Sequence, residues 1–335
     1  MLPKSLFFVL FMCLPWNVTL SLSDYSSTAQ SELEPQSGVF EVAWSPDGMY
    51  LATANPDANV HLYDPEGLPI AVFQGHPLEV FSIDWSPDGR FLASGSFNDS
   101  SIRIWDIPNR VLSREIDSQS FHYGVFLVRW SPDGSKLAAS GFDTFQVWDT
   151  ISWSPINDVT DGTFYDMEWS PDGSRLAVST LYDLRINASS DFRTGQIIDR
   201  AGYNPYAIAW SPDGMFLATS DRLDPGIYVW DASSSTLHAS FLQTSATITD
   251  LTFINDDEIA AVSQDGSVYL IDRNGGLISS SSLQSTELRS VAWNPQAELI
   301  AVGGVANEIS GESNLQVQTG GFLQLSSLDA LVGTP

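Results

Sequence analysis

One column of side chains in this chain is suited to holding a cation. Five copies of Trp-Ser-Pro-Asp-Gly begin at Trp44, Trp85, Trp130, Trp169 and Trp210, and two altered copies follow in step at Phe253 and Trp293. Four residues before each copy stand Phe40, Phe81, Phe126, Tyr165 and Tyr206, then Thr249 and Arg289. Glu41, Asp84, Asp166, Glu168 and Asp250 flank that column, against Arg129. Aromatic faces beside carboxylates suit an arginine or lysine side chain, each ring contact adding ~0.5–2 kcal/mol. The competing reading is packing. The rings share alternate-residue parity with Val42, Ile83, Val128, Met167 and Ile208, and could simply extend the core.

Signals for catalysis are poor. His61, His76, His122 and His238 are scattered. Zinc-protease, phosphate-loop, nucleophile-elbow and dinucleotide patterns are all missing. Calcium needs six to eight oxygens at one locus, and no Asp-x-Asp-x-Asp-Gly loop is written here. No catalytic residue, metal ligand or cofactor is assigned.

The elements that must position the aromatic column follow from the repeat. Its steps are 41, 45, 39, 41, 43 and 40 residues, so seven units tile the chain from about Gly38 to Leu328. A period of this length with short strands belongs to propeller blades, not helical repeats. In the clearest unit, Val80 to Trp85 reads as a strand and Ser86-Pro87-Asp88-Gly89 as a type I turn. There proline pre-sets φ, serine accepts an amide and glycine closes. Phe91 to Ser94, Ile102 to Trp105 and Val111 to Ile116 complete four strands, with a turn at Asn98-Asp99-Ser100. The expected fold is all-β: a seven-bladed β-propeller of four-stranded antiparallel blades.

Gly75-His76, Leu92 to Ser96, Asp99 and Ile102-Arg103-Ile104-Trp105-Asp106 resemble a WD-repeat. The Trp-Asp ending returns at Trp148-Asp149 and Trp230-Asp231, softened to Tyr63-Asp64 and Ile271-Asp272. The resemblance implies a buried network of His76, Ser94, Asp99 and Trp105, with further turn aspartates at Asp57, Asp143, Asp224 and Asp265. It also implies that the first strand of each unit is innermost, so Phe40, Phe81, Phe126, Tyr165, Tyr206 and Arg289 would ring the mouth of the central channel. The fourth unit, with Leu184-Arg185-Ile186-Asn187, and the seventh, near Leu315 to Gln318, lack the Trp-Asp pair and are expected to be the least regular. Ring closure is open between an N-terminal strand and Phe322 to Leu328. Six-bladed TolB-like exported propellers share the Ser-Pro-Asp-Gly turn but not the Trp-Asp endings or seven units.

The ends read differently. Lys4, the apolar run Leu6 to Leu14, Pro15 and Ser21-Leu22-Ser23 form a secretory signal, too short for a spanning helix, with cleavage expected after Ser23. This leader holds the chain's single cysteine, Cys13. The division is therefore 1–23 signal peptide, 24–37 flexible linker, 38–328 propeller and 329–335 tail. Asn98 and Asn187 match glycan acceptor triplets. With 41 acidic against 14 basic residues, the net charge is −27. That argues against nucleic-acid binding, disfavours anionic membrane surfaces and favours basic partners or cations, while charge alone reports solubility better than partners. The resulting expectation is an exported, non-catalytic platform binding a protein or peptide at the channel mouth, with no membrane insertion once the signal is removed. The alternatives are an exported ligand-binding propeller or propeller enzyme, and an intracellular WD-repeat scaffold.

Overall fold

The turn of the pentapeptide sets the geometry of every blade. In the five full copies the serine hydroxyl donates to the aspartate Oδ1 at 2.6 Å. The same serine oxygen accepts the amide five residues on, at 2.8–2.9 Å. The glycine amide donates to the serine carbonyl at 2.8 Å, closing the turn. The first strand is thereby turned back tightly on the second.

The computed structural model describes residues 38–306 apart from 97–98, 118–120, 122–123, 142–143, 160–162, 194, 199–203 and 283–285. Six four-stranded antiparallel sheets occupy 41–74, 80–117, 127–159, 164–198, 205–241 and 248–282, and we number these blades 1 to 6. Blade 2 has strands Val80–Trp85, Phe91–Ser96, Asp99–Asp106 and Val111–Asp117. Blade 4 is fully four-stranded despite lacking Trp-Asp, because Leu184 and Ile186 fill the third strand with apolar side chains. Asn187 is 7% exposed in that strand, a poor position for a glycan on the folded chain.

The expected count of seven four-stranded blades is wrong: among the described residues there are six. The seventh repeat forms a two-stranded sheet, Thr286–Asn294 with Leu299–Ala306. Among the described residues this sheet consists of its inner pair, and the apolar core lies at the seams between successive sheets. Seven buried clusters line up with seven seams. The inner pair alone supplies Leu288, Val291, Ile300 and Val302 to the seam with blade 6, and Leu299 and Ala301 to the seam with blade 1.

That sheet also closes the ring. The Val39 amide donates to the Gly304 carbonyl at 3.1 Å, and Asn294 Nδ2 donates to the Gly48 carbonyl at 3.0 Å. The strands expected at Leu315 to Gln318 and Phe322 to Leu328 lie outside the described residues, as do residues 1–37, Asn98, His122 and Asp143. Among the described residues no helix is long and apolar enough to cross a membrane.

Candidate functional site

The innermost strands converge on a channel, and a repeated backbone irregularity aims the aromatic column at one mouth of it. Strict alternation would put the residue four before the Trp on the core face with the residue two before it. In the strands Val80–Trp85, Phe164–Trp169, Ile248–Phe253 and Thr286–Asn294, however, the pairing register slips at Phe81, Tyr165, Thr249 and Arg289 respectively. In Pro205–Trp210 it slips across Tyr206 and Ala207. Such bulges re-aim a side chain and break the two-residue alternation. The parity argument for packing therefore fails at these positions.

The re-aimed rings are half-buried and meet across seams. Phe40 stacks on Phe81 with centroids 4.5 Å apart and planes 11° apart, and Phe81 meets Phe126 edge-on at 5.9 Å. Tyr165 and Tyr206 form a second pair at 5.7 Å. The Arg289 guanidinium lies 4.9 Å from the Phe40 ring centre. Phe40, Phe81, Tyr165, Tyr206 and Arg289 line one cavity of about 110 Å³. Arg222, which the repeat alignment does not reveal, reaches from blade 5 to lie 5.2 Å over the Tyr165 ring, and its Nη1 donates to the Tyr165 hydroxyl at 2.7 Å.

Below the rings the channel opens into a second cavity of about 360 Å³ lined by Glu41, Asp84, Arg129, Asp166, Glu168 and Asp250. These carboxylates have a structural task. The amide of Ile83 donates to Glu41 Oε2 at 2.7 Å, that of Ile208 to Asp166 Oδ2 at 2.8 Å, and that of Val291 to Asp250 Oδ2 at 2.8 Å. Ser82 accepts the Val128 amide at 3.1 Å, and Ser290 the Val42 amide at 3.2 Å. All five acceptors stand three residues before the Trp position and hold the strand of the following blade. Asp84 and Glu168, one residue before Trp, accept the amides of Trp130 at 2.6 Å and Trp210 at 2.7 Å. An edge amide at the hub is satisfied by a side chain where another strand would otherwise pair. The sequence signal was present as an aligned column of Glu, Ser, Leu, Asp, Ala, Asp and Ser, legible once the serines are counted with the acids.

Crowding these acids has an electrostatic consequence. Burial pushes the carboxyls of Asp84 and Asp250 up to about 7 and that of Asp166 up to about 6. Burial, then the neighbouring Asp166, raises Glu168 as well. Burial opposes the charge of Arg129, but Glu41, Asp166 and Asp84 outweigh it and hold the guanidinium firmly protonated.

The four residues of the inner network in blade 2 come together. His76 Nε2 lies 2.7 Å from Ser94 Oγ and Nδ1 lies 3.0 Å from Asp99 Oδ2, while Trp105 Nε1 donates to Ser94 Oγ at 2.8 Å. Burial lowers His76, keeping the ring neutral. Burial works to raise Asp99, but bonds from His76, Ser101 and Arg103 win and hold it well below the carboxylate range. Other blades keep fragments of this network. Trp230 Nε1 donates to Thr219 Oγ1 at 2.9 Å, Tyr228 donates to Asp224 at 2.8 Å, and His61 Nε2 meets Asp57 at 2.8 Å. Asp265 takes the hydroxyls of Ser245 and Ser263.

Among the described residues no cluster of His, Cys, Asp or Glu is arranged to hold a metal ion. Six four-stranded blades, serine–aspartate turns and the His–Ser–Asp–Trp network define a WD-repeat type β-propeller. Residues 38–312 match the family described as IFT122 first beta-propeller, and the chain belongs to that family. A comparison with curated proteins returns no match. A WD-repeat propeller suggests a protein-interaction scaffold, and such propellers generally bind protein partners and are typically non-enzymatic.

Proposed function

We propose that this chain is a non-catalytic interaction platform that holds a protein or peptide partner at the aromatic mouth of its channel. The observation that carries the reading is the set of backbone slips that turn Phe81, Tyr165 and Tyr206 out of the core parity and toward one cavity. Rings in pairs, set above buried carboxylates, favour a partner that presents arginine or lysine, by the cation–π attraction already named. Arg289 and Arg222 already lie against Phe40 and Tyr165, so the mouth holds arginine side chains on aromatic faces within the chain itself.

Membership of the WD-repeat family supports the intracellular scaffold over the exported platform, whereas the apolar run Leu6 to Leu14 supports export. We place the protein inside the cell. Intact mass of the purified chain, together with fractionation, decides between the two.

A displayed random-peptide library selected on the purified chain tests the binding site. The wild type should enrich peptides bearing arginine or lysine, and the Phe81→Ala/Tyr165→Ala variant, with an unchanged circular dichroism spectrum, should enrich none. Equal enrichment by both proteins would remove the mouth from consideration.

A further inference from the structure

Five residues, Glu41, Arg129, Asp166, Asp250 and Ser290, line both cavities and so form the layer between them. Arg129 spans that layer from blade 1 to blade 4. Its guanidinium is the long base among the residues one before the Trp position, which otherwise read Ala43, Asp84, Glu168, Ala209, Thr252 and Ala292. Nε donates to the Met167 carbonyl at 3.1 Å, and Nη1 donates to Ser82 Oγ at 3.1 Å and to the Val128 carbonyl at 2.9 Å. Nη2 donates to Asp166 Oδ1 at 3.3 Å and pairs with Glu41 Oε1 at 2.9 Å. Five donors thus meet five acceptors drawn from blades 1, 2, 3 and 4, with the side chain 19% exposed. A planar fork satisfied on every edge is the arrangement a guanidinium-recognition site presents to its ligand.

We propose that the channel contains a guanidinium-binding site filled in cis by Arg129, a built-in plug that stops a partner at the mouth chamber. A partner's arginine entering from the aromatic side meets a guanidinium already seated between Glu41 and Asp166, and gains nothing by displacing it. Once the plug is removed, a free guanidinium of the same shape takes its place. This deepens the mouth-binding reading by setting how far a partner reaches, and its test reads the channel alone.

The test is chemical rescue in the full chain. Arg129→Ala leaves Glu41 and Asp166 without their counter-charge, so its melting temperature should fall well below that of the wild type. Millimolar ethylguanidinium, the fragment deleted by the substitution, should restore most of that loss by binding the folded state alone. Ethylammonium, which has the charge without the fork, should restore much less, and neither should move the wild type. If Arg129→Ala does not fold alone, ethylguanidinium in the refolding buffer should recover the folded chain and ethylammonium should not. Arg129→Ala/Glu41→Gln/Asp166→Asn should fold and give no response. No rescue, equal rescue by the two cations, or a response in the triple variant would overturn the plug. Failure here leaves the peptide selection at the mouth untouched, so the two readings fall separately.

Discussion

Alkaline pH should loosen this protein more than mild acid does. Asp84 and Asp250 titrate in the folded chain at about 7, and Asp166 at about 6, against an ordinary 3.8. A carboxyl whose pKa is raised on folding binds more protons folded than unfolded between those two values. Stability therefore falls as pH rises through that window, and the cost is complete above the folded pKa. A rise of three units sets a ceiling of ~4 kcal/mol per group. The Asp166 side chain keeps 13% exposure, so solvent screening reduces this to on the order of 1–2 kcal/mol each. Somewhat over half of the combined ~3–6 kcal/mol is lost above pH 5, so at ~2–4 °C per kcal/mol for a chain of this class the melting temperature should be roughly 4–16 °C lower at pH 8.5 than at pH 5. The opposite arm belongs to Asp133, Asp172 and Asp265, all held at about 2, whose stabilisation is lost only as pH falls below the ordinary carboxylate range. Thermal melts by circular dichroism from pH 4 to 9 are the assay, with Asp84→Asn and Asp250→Asn each expected to flatten the alkaline slope. A melting temperature that is level or rises between pH 5 and 8.5 would refute the hub electrostatics argued above.

Two further perturbations probe the fold. At Gly48, with φ of 70°, an added Cβ would lie 2.5 Å from Asn294 Oδ1, whereas at Gly89, with φ of 69°, it would meet only Pro46 Cδ at 3.7 Å. Gly89→Ala should cost only the left-handed strain of ~1–2 kcal/mol, and Gly48→Ala at least ~1 kcal/mol more because it opens the closing bond; equal denaturant midpoints for the two would count against closure at that contact. Ser94→Ala orphans Trp105 Nε1 and His76 Nε2, at ~1–3 kcal/mol per group, whereas Ser94→Thr should be nearly neutral, since Thr219 already serves Trp230 at 2.9 Å. Urea melts of both variants check the difference.

Much of the fold was legible because the pentapeptide is both a turn and a ruler. Val80–Trp85 is an observed strand with the bounds read from its sequence, and the second strand runs only two residues beyond the expected Ser94. The seventh unit differs from the other six in showing only its inner pair among the described residues, and that pair carries the apolar seam residues of a blade all the same. At the site, the column of rings could be found by counting, but their direction could not. A single-residue slip in strand pairing reverses the face a side chain occupies, and Tyr165 in a bulge looks the same in sequence as Tyr165 in a regular strand. The acids were visible too, yet a carboxylate serving a neighbour's amide and one waiting for a partner are spelled alike. Arg222 belongs to no repeated column, so alignment of the repeats passes over it.

Blades 5 and 6 meet differently from the rest. Ala207 and Ala209 stand where most innermost strands carry an acceptor for the next blade and where blade 3 has Arg129, which donates to the Met167 carbonyl of blade 4, and the largest of the apolar clusters fills this seam, from Phe216 and Phe241 to Leu251 and Phe253. Attraction between hydrocarbon surfaces fades on cooling, while a carboxylate's grip on an amide does not fade in the same way. Near freezing the two halves of the ring that meet here would be the first to part, and the circle would open like a bracelet at a clasp made of grease.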